Sequence, residues 1–199
     1  MWKQRALRIL VLAVPAVAIA AAVVWWLGPP GESRAVGQGF ASVGGPISLV
    51  DQTGKPVTEK DFAGKYALVF FGFTTCPDVC PTELAAMASA LDQLGPKADR
   101  VVPIFITVDP ERDTPPTVKD YVQLFSPRLV GLTGTPEQIA KAAKAFRVYY
   151  QKVEPEGSST YLMDHSAFTY LMDPDWQIVD ILPPQTSGED MARLIGRKI

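Results

Sequence analysis

The chain has 199 residues, of which 47% are hydrophobic and 20% are charged, so it can bury a core and is unlike an intrinsically disordered protein. Its net charge is -2, without a long basic run. This argues against nucleic acid as a partner, because phosphate binding needs a clustered positive face. The only two cysteines stand four positions apart, which argues against a small disulfide-stabilised scaffold.

The N-terminal segment predicts a membrane anchor. Residues 9–27 are 19 consecutive residues without a charge, and at about 1.5 Å per residue they nearly cross a hydrocarbon core of about 30 Å. Because Lys3, Arg5 and Arg8 precede this stretch, residues 1–8 are expected to be a cytoplasmic tail and the bulk of the chain to lie outside the cytoplasm. A cleaved signal peptide is the alternative, although its apolar stretch is usually shorter.

A domain is expected over residues 46–199, behind a tether over residues 28–45 that is rich in glycine, proline and serine. The continuous apolar runs Tyr66–Phe73 and Val101–Val108 predict strands that are buried on both faces. Shorter strands are predicted at three further places: Ile47–Val50, Arg128–Leu132 and Val148–Lys152.

Four helices are predicted from apolar residues at helical spacing. The first follows the cysteine pair and is expected to stop at Gly95-Pro96. The other three are expected to begin at capping residues, namely Thr114 in front of a proline, Thr135 within a capping-box sequence, and Ser187.

The last two apolar runs, Ala167–Met172 and Gln177–Leu182, are separated by the turn sequence Asp-Pro-Asp-Trp and predict a β-hairpin. Before this hairpin, strands and helices alternate along the chain. Alternating β and α units predict an α/β fold, with a mostly parallel sheet and helices on both of its faces. The hairpin is expected to add an antiparallel edge to that sheet.

Cys76 and Cys80 stand where a buried strand gives way to a helix. Sites in open α/β sheets form beyond the carboxyl ends of strands, and a helix N-terminus lowers the pKa of a thiol. If the pair is helical, both residues share one face, so they can form a dithiol, a disulfide or a pair of metal ligands. A purely structural disulfide is the alternative, although so short a loop gains little from cross-linking.

His165, the only histidine, precedes the predicted strand Ala167–Met172. That strand should neighbour the one leading to Cys76, so the imidazole is expected to face the cysteines. Two thiolates and an imidazole are a soft donor set that suits copper. Zinc is the rival ion, but structural zinc sites use four protein ligands. Asp164 is a candidate to orient the imidazole.

Four segments, in this order, resemble the Sco/SenC family of copper metallochaperones. They are Phe71–Thr74 with the motif Cys76–Pro81, then Val108–Pro115, Gly131–Gly134 and Asp164–Ser166. The resemblance covers the chain from about residue 46 to its C-terminus. It implies a thioredoxin-like fold in which Cys76, Cys80 and His165 hold copper as Cu(I) or Cu(II).

The resemblance also implies a partner and a place in the cell. Copper would be delivered to the binuclear centre in cytochrome c oxidase subunit II, or the thiols of that centre would be reduced. A copper donor and a thiol reductant would be further partners in the periplasm. From the N-terminal segment, with its cationic residues before the apolar stretch 9–27, the chain is expected to be a single-pass protein of a bacterial inner membrane, with its domain facing the periplasm. One interpretation of Arg112 and Asp113 is that they shape the rim of the site or a docking face. The alternative is that they simply belong to a capped loop.

Two enzymatic functions compete with a metallochaperone. A thiol–disulfide oxidoreductase would use Cys76 and Cys80 as a redox-active pair and would not need His165. Thioredoxins, however, place two residues between their cysteines, and they carry a proline where this chain has His165-Ser166. A peroxide-reducing enzyme would use Cys76 or Cys80 as its peroxidatic residue.

Overall fold

A computed structural model of the protein describes residues 43–154 and 160–199. The predicted cytoplasmic tail (1–8), the predicted membrane anchor (9–27) and nearly all of the predicted tether (28–45) lie outside the described residues. Within the part that is described, no helix is both long and apolar enough to cross a membrane.

The described residues form nine strands and four α-helices, with two short 3-10 helices at Glu59–Phe62 and Gly95–Arg100. The strands are β1 (Ser48–Asp51), β2 (Pro56–Thr58), β3 (Tyr66–Gly72), β4 (Val101–Thr107), β5 (Val130–Thr133), β6 (Tyr150–Val153), β7 (Leu162–His165), β8 (Thr169–Met172) and β9 (Ile178–Leu182). The α-helices are α1 (Val79–Leu94), α2 (Pro115–Gln123), α3 (Pro136–Phe146) and α4 (Gly188–Gly196).

Seven of the described strands form one sheet, in the order β2-β1-β5-β4-β3-β8-β9. The central strands β3, β4 and β5 are parallel neighbours. Antiparallel pairs flank them, β1 with β2 on one side and β8 with β9 on the other. Five of these seven strands therefore run in one direction, and only β1 and β8 run in the other. The mostly parallel sheet and its C-terminal hairpin are confirmed.

Helices cover both faces of this sheet, as predicted. Phe71 of β3 packs against Phe146 of α3, with ring centroids 5.3 Å apart. Gly72, the next residue of β3, faces Cys80 of α1. Because successive residues of a strand point to opposite faces, α1 and α3 lie on different sides of the sheet. Helix α4 packs against α1, and α2 packs against β5.

The predicted start and stop signals explain the helix boundaries. Helix α1 ends at Gly95, whose backbone φ of 55° suits a residue without a side chain. In front of α3, the Thr135 hydroxyl accepts the N–H of Gln138 at 3.3 Å, and the Gln138 side chain accepts the N–H of Thr135 at 2.8 Å. Ser187 caps α4 by accepting the N–H of Asp190 at 3.1 Å.

The structure adds a β-ribbon to the predicted elements. Strand β7 was not predicted, and it pairs with β6 in a separate two-stranded sheet, where His165 lies opposite Tyr150. His165 therefore ends a strand of this ribbon, and β8 begins only at Thr169. Strand β7 has only four residues and β2 only three. An alternation of exposed and buried residues over so few positions cannot be recognised in the sequence.

Candidate metal centre

The two cysteines lie in the turn between β3 and α1 and in the first turn of that helix. Cys76 precedes the helix and is half-buried, whereas Cys80 is its second residue and is fully buried. The condition under which the two residues would share one helical face is therefore not met, because only Cys80 is helical. The Cys76 sulfur instead accepts the backbone N–H of Cys80 at 3.4 Å. This contact satisfies one of the free N–H groups at the start of α1.

Gly72 makes room for the buried sulfur. A Cβ atom at this position would lie 2.8 Å from Cys80 Sγ and 3.0 Å from atoms of Phe70 and Phe105. Any larger residue would have to displace the thiol or one of the two rings. The sequence gives no sign of this role for Gly72, because the close contact exists only where α1 folds back onto the end of β3.

His165 reaches the cysteines from the β6–β7 ribbon, and its Nε2 atom lies 3.5 Å from Cys80 Sγ. The edges of the Phe70 and Phe73 rings pack near the imidazole, with centroids 6.1 Å and 5.8 Å from its own. The Nδ1 atom lies 2.9 Å from the backbone oxygen of Ser166. Because a carbonyl oxygen can only accept a hydrogen bond, Nδ1 carries a proton, and Nε2 is the ring nitrogen that faces the sulfurs.

Asp164 does not have the role considered for it. It is exposed on the ribbon, opposite Gln151, whereas the hydrogen-bond acceptor of the imidazole is the Ser166 carbonyl. A backbone acceptor carries no residue-type signal, which is why sequence reasoning missed it. Asp113 is not a rim residue either, because it is fully buried beneath the cysteine turn.

The three predicted ligands form one cluster. The donor atoms of Cys76, Cys80 and His165 all lie within 4.8 Å of one another. Cys76 and His165 line an open pocket of about 210 Å³, whereas Cys80 is fully buried. Two sulfurs and an imidazole nitrogen fit a soft metal ion such as copper, and two of the donors are already held by hydrogen bonds. The pocket is lined further by Phe73, Pro77, Asp78, Val79, Leu162, Met163, Asp164 and Ala167.

The two thiols differ in their affinity for protons. The pKa of Cys76 is lowered, chiefly because the Cys80 thiol donates a hydrogen bond to its sulfur, and further because His165 and backbone N–H groups also hydrogen-bond to it. The pKa of Cys80 is raised by that same hydrogen bond, which holds its proton, and by burial. The reduced site therefore combines an accessible thiolate with a buried thiol.

The arrangement resembles that of proteins of one family. The SCO1/SenC family model matches residues 36–199. The mitochondrial protein SCO1 homolog 1 of Arabidopsis thaliana is 51% identical over 142 residues, which are 71% of this chain and 42% of that protein. The chain thus spans less than half the length of this relative.

Solved structures agree with this similarity. The copper-bound structure of ScoI from Bradyrhizobium japonicum is 48% identical, covers 79% of this chain and 99% of its own, and superposes with a TM-score of 0.72. BsSco, a member of the Sco family of cytochrome c oxidase assembly proteins in which a disulfide switch was identified, is 25% identical. It covers 78% of this chain and 91% of its own, with a TM-score of 0.61.

Proposed function

The chain belongs to the SCO1/SenC family, and from this premise we propose that it is a copper metallochaperone. It binds Cu(I) or Cu(II) through Cys76, Cys80 and His165 and aids assembly of the binuclear copper centre in cytochrome c oxidase subunit II. The observation that carries the proposal is the convergence of these three donor atoms within 4.8 Å. Copper bound to the related ScoI and oxidase assembly by the family of BsSco support it.

The state of the ligands fits a carrier of copper. A disulfide has no thiolate to donate, so copper binds only when both cysteines are reduced. Cys76 supplies its sulfur without losing a proton near neutral pH, whereas Cys80 must release one. The half-buried Cys76 is also the sulfur that an acceptor's cysteine can approach, so we propose that transfer proceeds by ligand exchange beginning there.

The test is a copper titration of the reduced full-length protein under anaerobic conditions, compared with His165→Ala. We expect one copper ion per chain and a thiolate-to-Cu(II) absorption band that shifts or weakens in His165→Ala. Tyr149→Phe is the control, because this exposed side chain lies beside the same ribbon, and its hydroxyl bonds to Gln151. If His165→Ala kept the wild-type stoichiometry and band, the imidazole would not be a ligand.

The second candidate function is thiol–disulfide exchange, by which the protein would reduce the cysteines of the copper centre or of other exported clients. The half-buried Cys76 thiolate next to the Cys80 thiol favours it, as does the disulfide switch of BsSco. The two functions separate at His165. Equal turnover of a disulfide client by wild type and His165→Ala, with copper binding lost only in the variant, would show exchange to be an independent activity.

For the location of the protein, we propose a single-pass protein of a bacterial inner membrane, with residues 9–27 as its anchor and the domain in the periplasm. The cationic residues before the apolar stretch and its length support this orientation. The periplasmic partners would be a copper donor, a thiol reductant and oxidase subunit II. Carbonate washing of membranes tests the anchor, and release of the intact chain would contradict it. Protease added to spheroplasts tests the orientation, and a domain that stays uncut would contradict its place in the periplasm.

A further inference from the structure

One motif has no part in copper binding itself. The segment Val108–Pro115 leaves β4 and passes between the cysteine turn and the β6–β7 ribbon before α2 begins. Within it, Asp109 and Asp113 are both almost fully buried, each with 1% or less of its surface exposed. Buried carboxylates are costly unless they are hydrogen-bonded. Their partners therefore show what this loop holds in place.

Asp113 holds the cysteine turn. Its carboxylate accepts the backbone N–H and the hydroxyl of Thr74, at 3.0 Å and 2.6 Å, and the hydroxyl of Thr107 at 2.5 Å. Its own backbone is held by Thr133, whose hydroxyl donates to the Asp113 carbonyl at 2.7 Å. Thr74 stands two residues before Cys76. The turn that carries the first ligand is therefore bonded to strands β4 and β5 through one residue, Asp113, by its carboxylate and its backbone carbonyl.

Asp109 and Arg112 hold the ribbon through Tyr161. The Tyr161 hydroxyl donates to Asp109 at 2.9 Å, and Arg112 donates to the Tyr161 backbone oxygen, also at 2.9 Å. The Arg112 guanidinium lies 3.7 Å from the centroid of the Tyr161 ring and forms an ion pair with Asp109. Tyr161 thus contacts this loop with its hydroxyl, its ring and its backbone, and it directly precedes the strand that ends at His165.

The other strand of the ribbon is tied to the same loop. Lys152 of β6 forms an ion pair with Glu111 and lies 4.6 Å from the centroid of the Tyr161 ring. The ribbon has no ladder pairing with the seven-stranded sheet, and an isolated two-stranded ribbon is marginally stable. Side-chain contacts of this kind, together with the packing of the imidazole near Phe70 and Phe73, therefore fix the distance of His165 from the cysteines.

We infer that residues 109–113 position the two halves of the metal centre, Asp113 acting through Thr74 on the cysteines and Asp109 with Arg112 acting through Tyr161 on His165. The inference rests on the proposed role of His165 as a ligand. All three are positioning residues, because none of them contributes a donor atom to the cluster.

The test compares Tyr161→Phe and Asp113→Asn with Tyr149→Phe in the full-length protein. Tyr161→Phe keeps the ring and removes only the hydroxyl bond to Asp109. Tyr149 is the matched control, because it lies beside the same ribbon, is exposed and bonds through its hydroxyl only to Gln151. Two readouts are taken: the ring signals of the metal-free imidazole by NMR, which belong to His165 alone, and the Cu(II) absorption band with copper affinity from chelator competition.

We expect each test variant to broaden or shift the imidazole signals, to move the absorption band and to weaken copper binding about tenfold, the loss typical when a residue that orients a ligand is removed. Tyr149→Phe should match wild type. If Asp113→Asn fails to fold, as circular dichroism would show, Tyr161→Phe still decides, because Tyr161 is only half-buried.

If Tyr161→Phe kept the wild-type imidazole signals, Cu(II) absorption band and copper affinity, the inference would be wrong. A different result would contradict the proposed function, namely that His165→Ala has the same copper spectrum as the wild-type protein. In that case the metal-free ring signals would still report whether the loop positions the imidazole.

Discussion

At the scale of single residues, the centre is asymmetric because its two sulfurs stand in different surroundings. Cys76 lies before α1 and is half-buried, whereas Cys80 is buried against Gly72 within the helix. The hydrogen bond between them keeps one proton on the buried sulfur. Because both residues are cysteines, the sequence does not show which of them is exposed and which of them keeps its proton.

We predict that Cys76 alone reacts with iodoacetamide in the native reduced protein. Its pKa is lowered to about 4, so it is ionised above that pH, and its reactivity should be lost only as the pH falls towards that value. Between about pH 6 and 8 the rate should be flat, whereas an ordinary thiol gains reactivity there. Mass spectrometry after timed alkylation measures the rate at each residue.

The Cys80→Ala variant provides the control for this profile. It removes the thiol that donates to the Cys76 sulfur, so the pKa of Cys76 should rise and its alkylation rate should increase with pH over the same interval. A wild-type rate that climbs between neutral and alkaline pH, as for a free cysteine, would contradict the assigned hydrogen bond.

At the level of secondary-structure elements, the three predicted helix caps divide into two that bond the backbone, Thr135 and Ser187, and one that does not, Thr114. Thr135 exchanges two hydrogen bonds with Gln138. Thr114 also precedes a helix, as predicted, but its hydroxyl contacts that of Thr117 at 2.9 Å and accepts no backbone N–H of α2. The sequence identifies both positions and does not distinguish the two geometries.

Thr135→Ala is therefore expected to lower the free energy of unfolding by about 1 kcal/mol, because a free N–H at the start of α3 loses its partner. Thr114→Ala should cost clearly less, since no backbone bond is removed. Urea denaturation of both variants measures the difference. Equal losses in the free energy of unfolding would mean that the side-chain bond of Thr135 does not stabilise its helix. The copper spectrum should be unchanged in both variants.

At the scale of the whole molecule, the metal centre joins elements that are far apart in the chain. The cysteines belong to the β3–α1 turn, whereas His165 comes from a ribbon 85 positions after Cys80. A ligand that binds only the folded arrangement stabilises it by mass action. Copper should therefore act as a cross-link between these distant segments.

We predict that Cu(I) raises the unfolding temperature of the reduced protein. At a free concentration of about 100 times its dissociation constant, the stabilisation would be about 2.7 kcal/mol. Calorimetry of the anaerobic protein with and without Cu(I) measures the shift. At the same copper concentration, His165→Ala should show a smaller shift, and protein oxidised to the disulfide should show none. An equal shift in oxidised protein would place the copper elsewhere.

Much of the fold could be predicted because its signals are local. The unbroken apolar runs of β3 and β4 indicate strands covered on both faces, and the turn sequence before β9 indicates a hairpin. The stop signal at Gly95 and the cap at Thr135 act within one helical turn. In the site, Cys76, Cys80 and His165 are few and chemically distinct, so they could be proposed as ligands from the sequence.

From the sequence alone came most of the strands and helices, their alternation along the chain and the choice of three candidate donors, because side-chain type and short-range periodicity govern all of them. How the donors meet became visible only in the tertiary structure. The ribbon places His165 beside the cysteines, and Gly72 leaves space for a sulfur. The Ser166 carbonyl accepts the imidazole N–H, and the loop at Asp113 holds the cysteine turn. These features depend on contacts between residues distant in the chain, and no local pattern records which distant backbone atom or side chain will be the neighbour.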